Sequence, residues 1–164
     1  MDMSLPRPPV SLVVAAQALV GVLFAVGFGA AALLPVFSAA VAEDFPEYAA
    51  LRAPLLVIGI VFMALGLIAL GSIALLVQRI YKGAMLVNSS LIWVDLLVGT
   101  LVGAAVTVVA ASVVISNGQA GSPFLLIIEA MVVLALMAIA GVTAVLRSLL
   151  RSAIDMRAEL EEVV

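Results

Sequence analysis

Four long apolar runs dominate the chain, and short polar stretches separate them. They cover about residues 10–37, 53–77, 91–115 and 124–146, and each is long enough for a helix that crosses a bilayer, which needs about 20 residues. The small residues Ser38, Ala39 and Ala40 leave a cleaved secretory signal as an alternative for the first run, although that run is longer than a signal core. Strands of a membrane barrel would be shorter and would alternate. The pattern predicts an all-α, polytopic membrane protein with four transmembrane helices in one domain, residues 1–164.

Composition strengthens this prediction and removes several kinds of chemistry. Hydrophobic residues make up 66% of the chain, charged residues 10%, and the mean hydropathy is +1.40. A soluble domain carries about 25% charged residues, so a soluble enzyme, a disordered regulator and a nucleic-acid-binding module are excluded. The absence of Cys and His removes thiolate nucleophiles, the usual general base and the usual metal ligands. We therefore expect no cofactor, no metal and no enzymatic activity.

The basic residues predict the orientation in the membrane, because Lys and Arg concentrate in cytoplasmic segments. In a four-span topology only Arg52 falls on the outer side. Six residues fall on the opposite side: Arg7, Arg79, Lys82, Arg147, Arg151 and Arg157. Both termini are therefore expected in the cytoplasm.

Two acidic residues interrupt the apolar runs, Asp95 in the third and Glu129 in the fourth. A charge at membrane depth is costly, so it usually pairs, faces a polar cavity or stays protonated. The expected partners are Arg147 or Arg79 for Asp95, and Arg52 for Glu129. One interpretation is a pair of ion pairs that join helix ends. The other is a proton or cation path through both carboxylates, although the side chains between them are mostly apolar.

Small residues recur at helical spacing in the first and third runs. Small side chains let membrane helices approach closely, and residues four apart share a helix face. The stripes face one another inside the helix bundle, or one of them faces a separate subunit. The candidate packing residues are Gly21, Ala25 and Gly29 in the first run and the GxxxG pair Gly99 and Gly103 in the third.

The fourth run is expected to continue as one helix through residues 147–164, because that polar segment contains no Gly or Pro. Its apolar positions, spaced three and four apart, resemble the seam of a coiled coil. This amphipathic tail lies against the membrane or the 78–90 loop, or it docks on another copy or a cytoplasmic protein. The candidate docking residues follow Leu146 along the seam: Leu149, Ala153, Met156, Leu160 and Val163.

Several stretches resemble a bacterial family of small four-helix membrane proteins of the "domain of unknown function" type, seen especially in actinobacterial forms. The similar stretches are AEDFPE at 42–47, LRAPLL at 51–56, WVD at 93–95, LLRSA at 149–153 and RAELEEV at 157–163. The resemblance implies the bacterial cytoplasmic membrane and brings no assigned activity or catalytic residue. Members are often encoded beside a small helix-turn-helix regulator, which implies a cytoplasmic regulatory partner by analogy.

These observations favour a non-enzymatic membrane protein that acts as an interaction or regulatory module, or as an accessory subunit of a larger membrane complex. Its partners would be the lipid bilayer and a protein or second copy bound through small-residue faces or the tail, with no direct nucleic-acid binding. The alternative is a small oligomeric transporter or channel that uses Asp95 or Glu129. An intramembrane enzyme is disfavoured, because the chain offers no Ser–His pair, paired Asp or metal cluster.

Overall fold

A computed structural model describes residues 10–81 and 88–162, with the side chains of 80, 88–90, 155 and 157–162 excepted. Its elements are α1 (Val10–Asp44), a short 3-10 helix η1 (Pro46–Leu51), α2 (Arg52–Tyr81), α3 (Asn88–Asn117) and α4 (Pro123–Glu162). All four α-helices are long and apolar enough to cross a membrane. The predicted all-α, multi-pass architecture is confirmed. Of the charges used for orientation, Arg7 and Lys82 lie outside the described residues.

The first helix is longer than its apolar run. The apolar run ends at residue 37 and the next begins at 53, which predicts a loop from 38 to 52, but α1 continues to Asp44 and η1 occupies most of the remainder. The segment after Pro35 is rich in Ala, the best helix former. The Ser38 hydroxyl donates to the Pro35 carbonyl at 2.8 Å, and the Phe45 N–H donates to the Val41 carbonyl at 3.0 Å. Polar residues at a membrane surface therefore mark the end of the apolar run and not the end of the helix.

In the turn between α3 and α4, Gln119 adopts the left-handed conformation, and the preceding Gly118 lies against η1. Gln119 adopts a positive φ of 53°, and its N–H donates to the Ser116 carbonyl, while the Ala120 N–H reaches the Ile115 carbonyl. These are the two bonds of a Schellman helix end, where glycine is usual. Glycine instead stands one residue earlier, because a Cβ at Gly118 would overlap the Leu51 side chain of η1. The turn is thus fixed against η1.

The helices pack in chain order, α1 on α2, α2 on α3 and α3 on α4. In the described part of the chain, α1 and α4 make no extensive contact with each other, so the bundle is open between them. The most buried side chains are mainly small and lie on the three later helices: Ser72, Val94, Thr100, Ala104, Ala105 and Ala140. Four of these six residues lie on α3, so α3 forms the centre of the buried part of the array.

On α3, only one glycine of the predicted GxxxG pair lies in a close helix contact. A Cβ at Gly103 would lie 3.3 Å from Leu65 of α2, whereas one at Gly99 would meet nothing within 4 Å. The buried positions nearby are Thr100 and Ala104, each one residue later than the predicted stripe. Since α3 must bury one face against α2 and another against α4, its contacts do not follow a single four-residue stripe.

On α1, the predicted packing stripe is not the face that meets α2. A Cβ at Gly21 or Gly29 would meet nothing within 4 Å, and Ala25 is exposed. The contact instead places Leu67 of α2 against Gly27, and Leu34 of α1 against Gly59 of α2, 2.8 Å from a Cβ built there. Each leucine fills the space over a glycine on the other helix, so dispersion contacts select this face. The interior interpretation of the Gly21 stripe is therefore wrong within one chain.

Candidate functional site

An ion pair joins α3 to α4 near the beginning of α3. Arg147 Nη2 donates to Asp95 Oδ2 at 2.9 Å, and Arg147 Nε also contacts Asp95 Oδ1. The Arg147 side chain is 37% exposed and that of Asp95 49%. The guanidinium therefore contacts both carboxylate oxygens, one through a charge-assisted hydrogen bond and one as an ion pair. Arg79, the other proposed partner, lies in the last turn of α2 and has an interaction of its own.

The α3-facing side of α4 explains how the sequence positions this arginine. The α4 residues that are buried or half-buried recur at alternating steps of four and three, as expected for one packed helix face. Both charged residues of the stripe, Glu129 and Arg147, therefore point toward α3 from opposite ends of the span. The stripe consists of Glu129, Val133, Leu136, Ala140, Thr143, Arg147, Leu150 and Ile154.

Glu129 lies at a cavity of about 700 Å³ between the end of α3, the turn and the first turns of α4, and the lining of this cavity is part polar and part apolar. The Ser122 oxygen also accepts the Leu125 N–H at 3.2 Å and so caps α4. Among the described residues, Glu129 makes no hydrogen bond or ion pair. We call this space the Glu129 cavity. Its polar wall consists of Ser112, Ser116, Gln119, Ser122 and Glu129.

The expected pair between Arg52 and Glu129 is wrong. Arg52 Nε donates instead to the Ser38 hydroxyl at 3.5 Å. Arg52 lines another, largely apolar cavity of about 410 Å³, which lies between α1, η1 and α2 and also borders Ile115 and Leu125. The reason lies in the packing order. Arg52 begins α2 and Glu129 lies on α4, and α3 packs between these two helices.

An apolar groove adjoins the Glu129 cavity and follows α3 and α4 toward the middle of the span. It has a volume of about 400 Å³ and shares Ser112, Leu126 and Glu129 with the Glu129 cavity. Its remaining lining is aliphatic, including Val109, Ala130 and Val133. The carboxyl group of Glu129 therefore lies where the Glu129 cavity, with several polar side chains in its wall, meets an apolar groove.

A model of the family described as "Protein of unknown function (DUF2975)" matches residues 36–164, more than three quarters of the chain. The chain belongs to this family. The match begins within α1 and includes the Asp95–Arg147 pair, the Glu129 cavity and all of α4. Comparisons with curated proteins and with solved structures gave no match. The resemblance to a family of unknown function is thus confirmed.

The DUF2975 chain continues α4 well past its apolar run, to Glu162. The predicted seam on this part of the helix points away from α3: Leu146 is 59% exposed, Leu149 63% and Met156 59%, while Ala153 is half-buried. We call these four residues the tail stripe. The Leu160 side chain and Val163 fall outside the description, so the predicted stripe is defined here through Met156 only.

The polar wall of the Glu129 cavity was not among the residues that the sequence singled out. Ser112 and Ser116 are four apart on α3, and Gln119 and Ser122 belong to the turn that precedes the helix of Glu129. Residues four apart share a helix face, so the signal was present in the sequence. This spacing does not show, however, that Gln119 and Ser122 of the turn line the same cavity as Glu129 in this DUF2975 protein.

Proposed function

We propose that this DUF2975 member is a non-enzymatic membrane protein that binds a protein partner through the tail stripe of α4. The proposal rests on one observation: beyond residue 146, one side of α4 faces the bundle and the other side exposes apolar residues. Arg147, Leu150 and Ile154 turn toward the bundle, while Leu149 and Met156 remain exposed on the other side. An apolar stripe of this kind on a helix outside the bundle is suited to a helix–helix contact.

The length of α4 favours docking over a tail that lies along the membrane. The helix has 40 residues and is therefore about 60 Å long, against a hydrocarbon core of about 30 Å. No Gly or Pro interrupts it after Gly141, so the tail continues the direction of the span. A continuous helix that leaves the bilayer presents its stripe to proteins in the aqueous phase, which by the distribution of Lys and Arg is the cytoplasm.

Two partners fit such a stripe, a second copy of this chain and the small helix-turn-helix regulator that the family analogy implies. Either would make the protein an interaction or regulatory module, or an accessory subunit of a larger membrane complex. Nucleic acid would then be bound by the regulator and not by this chain.

The test is to compare Leu149→Glu with Ser148→Glu, which introduces the same charge at an exposed position one residue away and off the stripe. Each full-length variant is purified from cross-linked cells in mild detergent, bound proteins are identified by mass spectrometry, and self-association is measured by sedimentation. We expect Leu149→Glu to lose the specific partner or the second copy and Ser148→Glu to retain it. Equal retention by both variants would contradict the proposal.

The alternative of a small transporter or channel has one specific observation in its favour: Glu129 lies at a cavity and has no ion-pair partner among the described residues. The other candidate carboxylate, Asp95, is neutralised by Arg147. Along α4, Glu129 and Arg147, the partner of Asp95, are separated by 18 residues, or about 27 Å. Between them the α3-facing stripe is apolar apart from Thr143, whose hydroxyl donates to its own helix at 2.7 Å. A continuous polar path therefore has less support than a docking function.

A further inference from the structure

Glu129 differs from the other acid in the apolar spans because nothing described in the protein neutralises it. Asp95 binds Arg147, whereas Glu129 is half-buried and has no described partner. It lies six residues after the start of α4, about 9 Å along the helix. A carboxylate at this depth requires a polar surrounding or a counter-charge. No Lys or Arg lines the Glu129 cavity or the adjoining groove, so among the described residues the place of a counter-charge is open to a bound cation.

The hydroxyl groups around Glu129 are available to a ligand. Most other hydroxyls within the spans donate to carbonyls of their own helix at 2.7–2.9 Å, as Ser72, Thr100 and Thr143 do. Ser112 and Ser116 make no such bond within the described structure. The cavity thus offers one carboxylate and two uncommitted hydroxyls on the same side of α3 and α4.

The size and polarity of the space indicate the kind of ligand. A bare metal ion needs several oxygen ligands at short distance, and the described residues contain no group of three or more acidic side chains for one. The cavity of about 700 Å³ is of the size that organic ligands occupy. The groove of about 400 Å³ that continues from it is lined almost wholly by aliphatic side chains. A ligand that fills both spaces has a positive polar end and an apolar tail.

We propose that the α3–α4 groove binds an amphiphilic ammonium compound, with its ammonium group against Glu129 and its alkyl chain along Val109, Ala130 and Val133. The hydroxyls of Ser112 and Ser116 complete the polar end of this site. Such a compound is either a bilayer lipid with an amine headgroup or a single-chain ammonium from the aqueous phase. This site is independent of the tail stripe, which lies at the other end of α4.

The test uses the full-length protein in an uncharged detergent and hexyltrimethylammonium as the probe, with binding measured by titration calorimetry. We expect Glu129→Gln to weaken binding by about tenfold or more, because the variant removes the charge that attracts the ammonium group. A factor of ten corresponds to about 1.4 kcal/mol. The matched control is Glu47→Gln, which removes the same charge from η1, outside the lining of both cavities, and is expected to bind as the wild type does. Equal binding by Glu129→Gln and the wild type would overturn the proposal.

Separate measurements test whether the groove binds the alkyl chain of the ligand. Ala130→Leu fills the groove at an exposed position of α4, so it should weaken hexyltrimethylammonium binding while leaving the melting temperature unchanged. Tetramethylammonium, which lacks the chain, should bind more weakly than the probe, and equal binding would refute an amphiphile site. In nanodiscs, competition by phosphatidylethanolamine but not phosphatidylglycerol assigns the site to a lipid headgroup, and probe binding that neither lipid reduces assigns it to a soluble ammonium.

Discussion

At the scale of single residues, the Asp95–Arg147 pair connects the beginning of α3 to the part of α4 where the tail begins. The arginine lies on the packed stripe of α4 and contacts both carboxylate oxygens of Asp95. Neither side chain is fully buried, so the pair holds two helices in register at little desolvation cost. The same arginine thereby fixes the rotation of α4 that leaves Leu149 and Met156 exposed.

Asp95→Asn should lower the melting temperature in detergent, because it removes the charge from a two-point contact. Arg147→Gln should lower it by a similar amount. The double variant should cost little more than either single change, since both remove the same interaction. Thermal unfolding of the four proteins at low and high salt measures this, and the effect should shrink as salt rises. Additive effects, or an unchanged melting temperature in Asp95→Asn, would show that the pair does not join the helices.

At the scale of helices, the sequence predicts which elements exist far better than which faces meet. The number and approximate position of the helices follow from the apolar runs, since only a helix satisfies its own backbone in lipid. The faces of α1 are hard to predict because the helix is apolar all round, so Gly21 and Gly27 are equivalent in pattern. On α4 the charges carry information: Glu129 and Arg147 are 18 residues, or five turns, apart and both face α3.

The ion-pair partners of Asp95 and Glu129 show a second limit of prediction from sequence. Asp95 is paired with Arg147, one of its two expected partners, because α3 and α4 are neighbours along the chain. The proposed partner of Glu129, Arg52, lies two helices away in chain order. The depth of a residue in the membrane can be read from its position in a span, but the sequence does not show which helices are neighbours. A pairing rule based on depth alone therefore fails where another helix intervenes.

The contact between α1 and α2 provides a test of which glycine face is used. Gly59→Val should destabilise the protein by about 1–3 kcal/mol, because a Cβ there already lies 2.8 Å from the end of the Leu34 side chain, which must shift to make room for valine. Gly21→Val, on the predicted stripe, should change stability by less than about 0.5 kcal/mol, since a Cβ there meets nothing within 4 Å.

Denaturant unfolding in mixed micelles compares these two variants, and Leu34→Ala combined with Gly59→Val should recover part of the loss. A larger effect at Gly21 than at Gly59 would show that α1 uses the other face. If Gly21→Val instead alters only the self-association of an otherwise stable protein, that stripe contacts a second copy, as the sequence pattern allows.

At the scale of the whole molecule, the open arrangement of helices is a consequence of the solvent. In water, the exposed side chains of α1 and α4 would make the fold unstable or prone to aggregate. In a bilayer, lipid tails cover them at no cost, so the first and last helices need not close on each other. Stability then depends on three contacts between neighbouring helices, and the Glu129 cavity can remain open because no fifth helix has to cover it.

The absence of cysteine from the sequence makes this arrangement directly testable. The contacts of Gly27 with Leu67, of Leu65 with Gly103 and of Asp95 with Arg147 set the helix registers and place Val26 of α1 level with Val142 of α4. Both valines are exposed, at 64% and 62%. In Val26→Cys/Val142→Cys, a short bifunctional maleimide should leave the two positions unlinked within one chain. In Gly27→Cys/Leu67→Cys, which joins the α1–α2 contact, the same reagent should link them efficiently.

Mass spectrometry of peptides from the monomer band distinguishes the outcomes. An efficient Val26–Val142 link within one chain would mean that α1 and α4 close the bundle, and the groove along α3 and α4 would then be partly covered. A link between these positions found only in the dimer band would place a second copy across the open side. The expectation rests on the packing order: α1 and α4 make no extensive contact in the described structure, so a short linker is expected to join the two valines only across two chains.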